Sequence, residues 1–171
     1  MPLRNYISNR DSNRSSEIGS IASSKFLKSA EKHGWCVVES SVSEDRMKHI
    51  DCFISKDGLT YSVDVKSIKR RSRHGEFSED LLWVELVGIT GHRGWIFGEA
   101  DLIAFQRSYG FDLVPRMKIV EFIGTLNLAN RAKRPEESLY KRYTRMGRKD
   151  VLVTIKMSDI EQHVKLVFLD E

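Results

Sequence analysis

The sequence predicts a mixed α/β fold, with a mixed central β-sheet and helices packed on it. Three observations carry that prediction. The elements run in the order helix, several strands, helix, strands. Two alternating runs, HIDCFISK (49–56) and LTYSVDVK (59–66), are separated only by Asp57-Gly58, the strongest short-range hairpin signal. Near the N-terminus Ile18, Ile21, Ala22, Phe26 and Ala30 recur at the spacing of one buried helical stripe.

Residues 1–13 are polar and are expected as a flexible arm, with residues 14–171 forming a single domain. The helix is expected to begin near Ser15, which with Ser16 supplies a cap, and to end at Gly34. WCVVES (35–40) is short, β-branched and apolar, hence a strand, and 41–48 reads as a polar connection. After the hairpin, residues 67–79 form a basic loop and LLWVELVG (81–88) a strand. WIF (95–97), DLIAFQ (101–106) and FDLV (111–114) read as further short strands. Ile119, Phe122, Ile123 and Leu126 fall at helical spacing between Met117 and Ala129. The basic segment 131–149 reads as a loop with a helical piece, followed by strand VLVTI (151–155), a short turn capped by Ser158, and VKLVFL (164–169).

Composition narrows the function. Of 171 residues, 40% are hydrophobic and 30% charged, which excludes a membrane protein and a mostly disordered chain. The opening stretch MPLRNYISNRDSNRSSE lacks an apolar core, so no secretory signal is expected. Cys36 and Cys52 show no ligand spacing, which argues against a disulfide framework or structural zinc and fits an intracellular, reducing compartment, the cytoplasm. No glycine-rich nucleotide loop and no histidine pair at zinc-binding spacing occurs. The net charge of +4 is mild, but its distribution is not. Lys66–Arg73 holds five basic residues in eight, and Arg131–Lys149 holds eight in nineteen against Glu136 and Glu137. Two such clusters in one small domain point to a phosphate-binding surface.

The hairpin concentrates the chemistry. A two-residue turn at Asp57-Gly58 pairs Lys56 with Leu59 and, carried outward, sets Asp51 opposite Asp64, with Cβ atoms about 4.5–5.5 Å apart. Lys66 projects from the same face, opposite His49. The other face carries Ile50, Cys52, Ile54, Tyr61, Val63 and Val65 and must be buried. Opposed like charges destabilise a strand pair, so a compensating cation is expected: Lys66, or a hard divalent metal held by carboxylate oxygens. Glu17 borders the apolar stripe through Ile18; it reads equally as a first-turn acid favoured by the helix dipole. Glu85, on one strand face with Trp83, reads as a half-exposed acid paired with a lysine. Trp83 and Trp95 read as core residues rather than base-stacking platforms.

Asp51, a hairpin and then Asp64-Val65-Lys66, preceded by a helix carrying Glu17, resembles the PD-(D/E)XK nuclease superfamily, including archaeal Holliday junction resolvases. The resemblance spans residues 14 to about 106 and is strongest over 49–66. Ile50 stands where the family often has proline, and Asp64 replaces the commoner glutamate, shortening the reach by one methylene. The resemblance implies a restriction-endonuclease-like three-layer fold and a Mg²⁺- or Mn²⁺-dependent endonuclease hydrolysing phosphodiester bonds of DNA, with resolvase-like structure specificity as one form of that activity. It implies Asp51, Asp64 and the Val65 carbonyl as metal ligands, Lys66 as the residue orienting or deprotonating the attacking water or stabilising the phosphate, and Glu17 as a further acidic contributor. Resolvase-like members commonly form homodimers. The basic residues expected to contact nucleic acid are Lys69, Arg70, Arg71, Arg73, Arg142, Arg145 and Arg148. The competing reading is a non-catalytic nucleic-acid-binding protein on the same fold.

Overall fold

In the computed structural model, which describes residues 3–72 and 74–170 and their side chains from Ser16 onward, ten strands and three α-helices alternate along the chain. The first helix, α1 (Leu3–Lys32), packs beside β1 (Cys36–Glu39); α2 (Val42–Lys48) then leads to the hairpin β2 (Cys52–Lys56) and β3 (Leu59–Lys66). Next come a small basic hairpin, β4 (Lys69–Arg70) and β5 (Phe77–Ser78), and the longer β6 (Leu81–Val87). A 3₁₀ turn at Trp95–Phe97 precedes β7 (Leu102–Arg107), β8 (Gly110–Pro115) and α3 (Arg116–Gly124). The chain closes with β9 (Val151–Lys156) and β10 (Leu166–Leu169).

Six strands form the central sheet in the order β1-β2-β3-β7-β8-β10. All neighbours are antiparallel except β3 and β7, so the sheet is mixed, as expected. The Asp57-Gly58 turn fixes the hairpin register as expected: Lys56 opposes Leu59 and Cys52 opposes Val63. Asp57 and Gly58 both take positive φ, 51° and 79°, the backbone that a tight hairpin turn of this hand requires.

Each sheet face has its own core. On one, Cys52, Ile54, Val63, Val65, Leu102, Ala104, Phe111 and Leu113 bury against Ala22, Phe26 and Ala30 of α1. Phe26 meets Phe111 edge-on at 5.2 Å and stacks on Phe168 at 5.7 Å. On the other face Ile103, Phe105 and Val114 pack against Val84, Val153 and Ile155 of the β6–β9 ribbon and Ile119 and Ile123 of α3. The far layer is therefore a two-stranded ribbon plus a short helix rather than helices alone. Among the described residues, no helix is long and apolar enough to cross a membrane.

Several expectations are corrected. The helix expected to begin near Ser15 extends further toward the N-terminus, with Leu3 the first of its described residues. Segment 41–48, expected as a connection, contains α2. Ser41 and Glu44 form a reciprocal capping box, and His49 closes the helix in the left-handed region at φ 54°. This cap ends the extended backbone, so β2 starts at Cys52 and His49 does not lie opposite Lys66 on a strand. Residues 95–97 form a 3₁₀ turn rather than a strand, with Trp95 and Ile96 buried.

Candidate functional site

The site grows out of the open end of the β2–β3 hairpin. β3 lies between β2 and β7, and its residues Ser62 to Val65 are buried. Asp64 falls opposite to Val63 and Val65 and points away from α1, into the far layer beside Ile103. It is only 3% exposed. Asp51 lies one residue before β2; its N–H donates to the Val63 carbonyl at 2.8 Å. Its carboxylate Oδ2 accepts the Val65 N–H at 2.7 Å, replacing the ladder bond that β2 no longer supplies. Asp51 and Asp64 lie close enough for the charge of Asp51 to act on Asp64 and for Asp64 to act on Asp51 through a side-chain hydrogen bond. The N–H and C=O of one strand residue point the same way, so the Val65 carbonyl also faces the Asp51 side, beyond the end of β2.

Lys66 reaches back along the same face. Its Nζ lies 2.7 Å from Asp64 Oδ1 and 5.0 Å from the centroid of the buried Trp95 ring. The second Asp64 oxygen, Oδ2, is buried and has no hydrogen-bond partner. Burial raises the Asp64 pKa to about 7; Lys66 opposes the rise and Asp51 adds to it. Asp51 is raised as well, mainly by burial, against the Val65 N–H and Lys66. Asp45 of α2 acts on both carboxylates, an acidic neighbour that the reading of 41–48 as loop concealed.

Hard oxygen donors, two adjoining carboxylates and an orphaned buried oxygen suit a small divalent cation. Among the described residues, no group of three or more His, Cys, Asp or Glu side chains is gathered for a metal. Any such ion would rely on Asp51, Asp64, a backbone carbonyl, water and a substrate phosphate, the usual economy of Mg²⁺ sites.

Glu17 does not join this cluster: it is exposed, on the helix that packs against the opposite sheet face. Glu85 does. It is half-buried on β6, and instead of pairing with a lysine at the surface it senses Lys66, His49 and Arg145. Burial raises its pKa, and the charge of Lys66 opposes the rise. The signal available in sequence was its place on β6 beside Trp83; its nearness to Lys66 comes only with the fold.

The two basic segments meet. Arg71 donates from Nη2 to the Glu136 carbonyl at 3.1 Å. Trp83 donates from Nε1 to the Arg70 carbonyl at 3.1 Å and packs on Tyr143 at 6.1 Å. Lys69 lies within electrostatic reach of Lys66, Arg145 and Glu85, so both segments border the carboxylates. Arg70 is exposed and stacks over Phe77 at 4.7 Å. Arg142 and Arg148 are half-buried, and Arg73 lies outside the described residues.

Arg145 has a prior engagement. Its guanidinium pairs through Nε and Nη2 with Asp150, whose side chain is 0% exposed. Arg145→Ala leaves that carboxylate buried and uncompensated, so it is expected to cost about 2–4 kcal/mol of stability in denaturant unfolding. An unchanged midpoint would show that the pair carries no stability.

No family model matches the chain, and no curated protein matches it by sequence. Among solved structures it is similar to the bacterial homing endonuclease I-Ssp6803I, at 19% identity and a TM-score of 0.46, over 62% of this chain and 72% of that one.

Proposed function

We propose that the chain is a divalent-metal-dependent nuclease that hydrolyses phosphodiester bonds of DNA on a PD-(D/E)XK-like scaffold. The observation that carries this reading is the buried, half-unpartnered Asp64 carboxylate, held beside Asp51 with the Lys66 ammonium 2.7 Å away. Burying two adjoining carboxylates weakens a fold, and a site of this kind is retained where its chemistry is used.

Asp51, Asp64 and the Val65 carbonyl would hold Mg²⁺ or Mn²⁺. When bound, such an ion lowers the pKa of a coordinated water and offsets charge on phosphate oxygens. The remaining work falls to the chain. The Val65 N–H fixes the rotamer of Asp51, and the Trp95 ring holds the Lys66 ammonium on the site face. Lys66 lies where charge develops on the phosphate and can orient the attacking water. Lys69, Arg70 and Arg71 continue directly from the Lys66 strand and offer the cationic approach that a phosphate needs against local negative charge.

Mn²⁺ titration tests the reading. The wild-type chain is expected to take up Mn²⁺, and Asp51→Ala and Asp64→Ala are expected to lose that uptake while still binding DNA. A non-catalytic DNA-binding protein would bind DNA with no Asp64-dependent metal uptake.

The basic surface carries a separate expectation. Neutralising Arg70 and Arg71 together should weaken DNA binding across sequences and flatten the dependence of log K on log salt by up to about two units. An unchanged affinity and slope would make these residues ordinary solvated charges.

A further inference from the structure

Lys66 faces a conflict that the nuclease reading creates. Its ammonium is paired with Asp64, the carboxylate that a divalent cation would also require. A cation on Asp64 repels the ammonium, and an ammonium on Asp64 opposes the cation. The site works best if another anion stands ready for Lys66.

Glu85 meets that description on geometry. After β6 the chain doubles back: Gly88 N–H donates to the His92 carbonyl at 2.8 Å, and Gly94 N–H to the Leu86 carbonyl at 3.0 Å. The returning strand presses onto Glu85. A Cβ on Gly94 would clash with the Glu85 carbonyl and stand 2.9 Å from its Cγ, so the close approach requires glycine. The residue after Gly94 is Trp95, whose ring carries the Lys66 ammonium at 5.0 Å. One turn thus ties Glu85 to the aromatic face beneath Lys66. Lys66 exerts the largest charge effect on Glu85, ahead of His49 and Arg145. Among the described residues, the Glu85 carboxylate takes no hydrogen bond or ion pair of its own.

We infer that Glu85 is a positioning residue: the counter-ion that holds the Lys66 ammonium over Trp95 when Asp64 is given to a divalent cation. This rests on the nuclease reading and extends it by a residue outside the D-x(n)-D-x-K signature. It separates two tasks, since Asp51 and Asp64 face the metal while Glu85 keeps the Lys66 ammonium placed over Trp95.

The test is a double-mutant cycle read by calorimetric Mn²⁺ binding to the full chain without DNA. Glu85→Gln is nearly isosteric and is expected to raise the Mn²⁺ dissociation constant about five- to tenfold, because Lys66 then stays on Asp64. With Lys66→Met already present, Glu85→Gln should change it by less than about twofold. Glu85→Asp, which retains the charge, should recover part of the affinity. An equal loss in both backgrounds would reduce Glu85 to a distant field effect and overturn the inference, as would no loss in the wild-type background. Asp64-dependent Mn²⁺ uptake with an additive cycle would sink the Glu85 role alone. No Asp64-dependent uptake would sink the nuclease reading with it.

Discussion

Asp64→Ala and Lys66→Ala are each expected to abolish DNA cleavage, lowering the rate by roughly a thousandfold or more, while leaving the fold and most DNA binding intact. Among the described residues, Asp64 is the one carboxylate with a buried oxygen free of protein hydrogen bonds. Lys66 is the cation that meets Asp64 directly, at 2.7 Å. Both changes shorten polar chains that belong to neither apolar cluster, and Asp64 left without Lys66 takes up a proton rather than holding a buried charge. Gel analysis of cleavage beside a DNA-binding isotherm separates the two effects. Near-full activity in Lys66→Ala would show that its assigned role is wrong.

Asp64→Asn is expected to stabilise the protein at pH 8, by about 1–3 kcal/mol, and to change stability little near pH 4. The sign follows from burial. The folded-state pKa of about 7 stands above the 3.8 ordinary for a free aspartate. Between those values the folded chain binds the proton more tightly than the unfolded chain. Stability associated with the protonated carboxyl is therefore fully present below about pH 4 and is lost as pH rises through about 7. Asparagine never carries the buried charge and avoids that loss. The gain is smaller than the full shift implies, because Lys66 surrenders its ion-pair partner. Thermal melts of both proteins from pH 4 to 8 without metal should diverge as pH rises. Parallel melting curves would show that Asp64 is not held in the environment described. A residue that weakens the metal-free fold yet is needed for activity is the usual signature of a functional carboxylate.

What the sequence made legible was local. The Asp57-Gly58 turn dictates its own register, so the pairing of Cys52–Lys56 with Leu59–Val63 followed from two residues and a strand period of two. The stripe Ala22, Phe26, Ala30 is equally local and marked the side that α1 buries; that this side meets the apolar hairpin face is seen only in the fold. The capping box Ser41–Glu44 was also readable in sequence; its omission turned α2 into a loop and carried the strand three residues too far, to His49. The contributions of Glu85 and Asp45 were not readable, because each depends on how near β6 or α2 comes to Asp64 and Lys66 in the fold. The meeting of the two basic segments is likewise tertiary: Arg71 and Glu136 are 65 residues apart and touch only once β6 and β9 pair.

The central claim is metal-dependent hydrolysis of DNA at the Asp51–Asp64–Lys66 cluster. Its most direct test is incubation of the purified chain with branched, duplex and single-stranded DNA, with Mg²⁺ or Mn²⁺ and in parallel with a chelator, followed by gel analysis. The account predicts cleavage of at least one of these substrates that requires the metal, stops with the chelator and is absent from Asp64→Ala. Intact DNA in every lane, from a chain that is folded and binds that DNA, would contradict it.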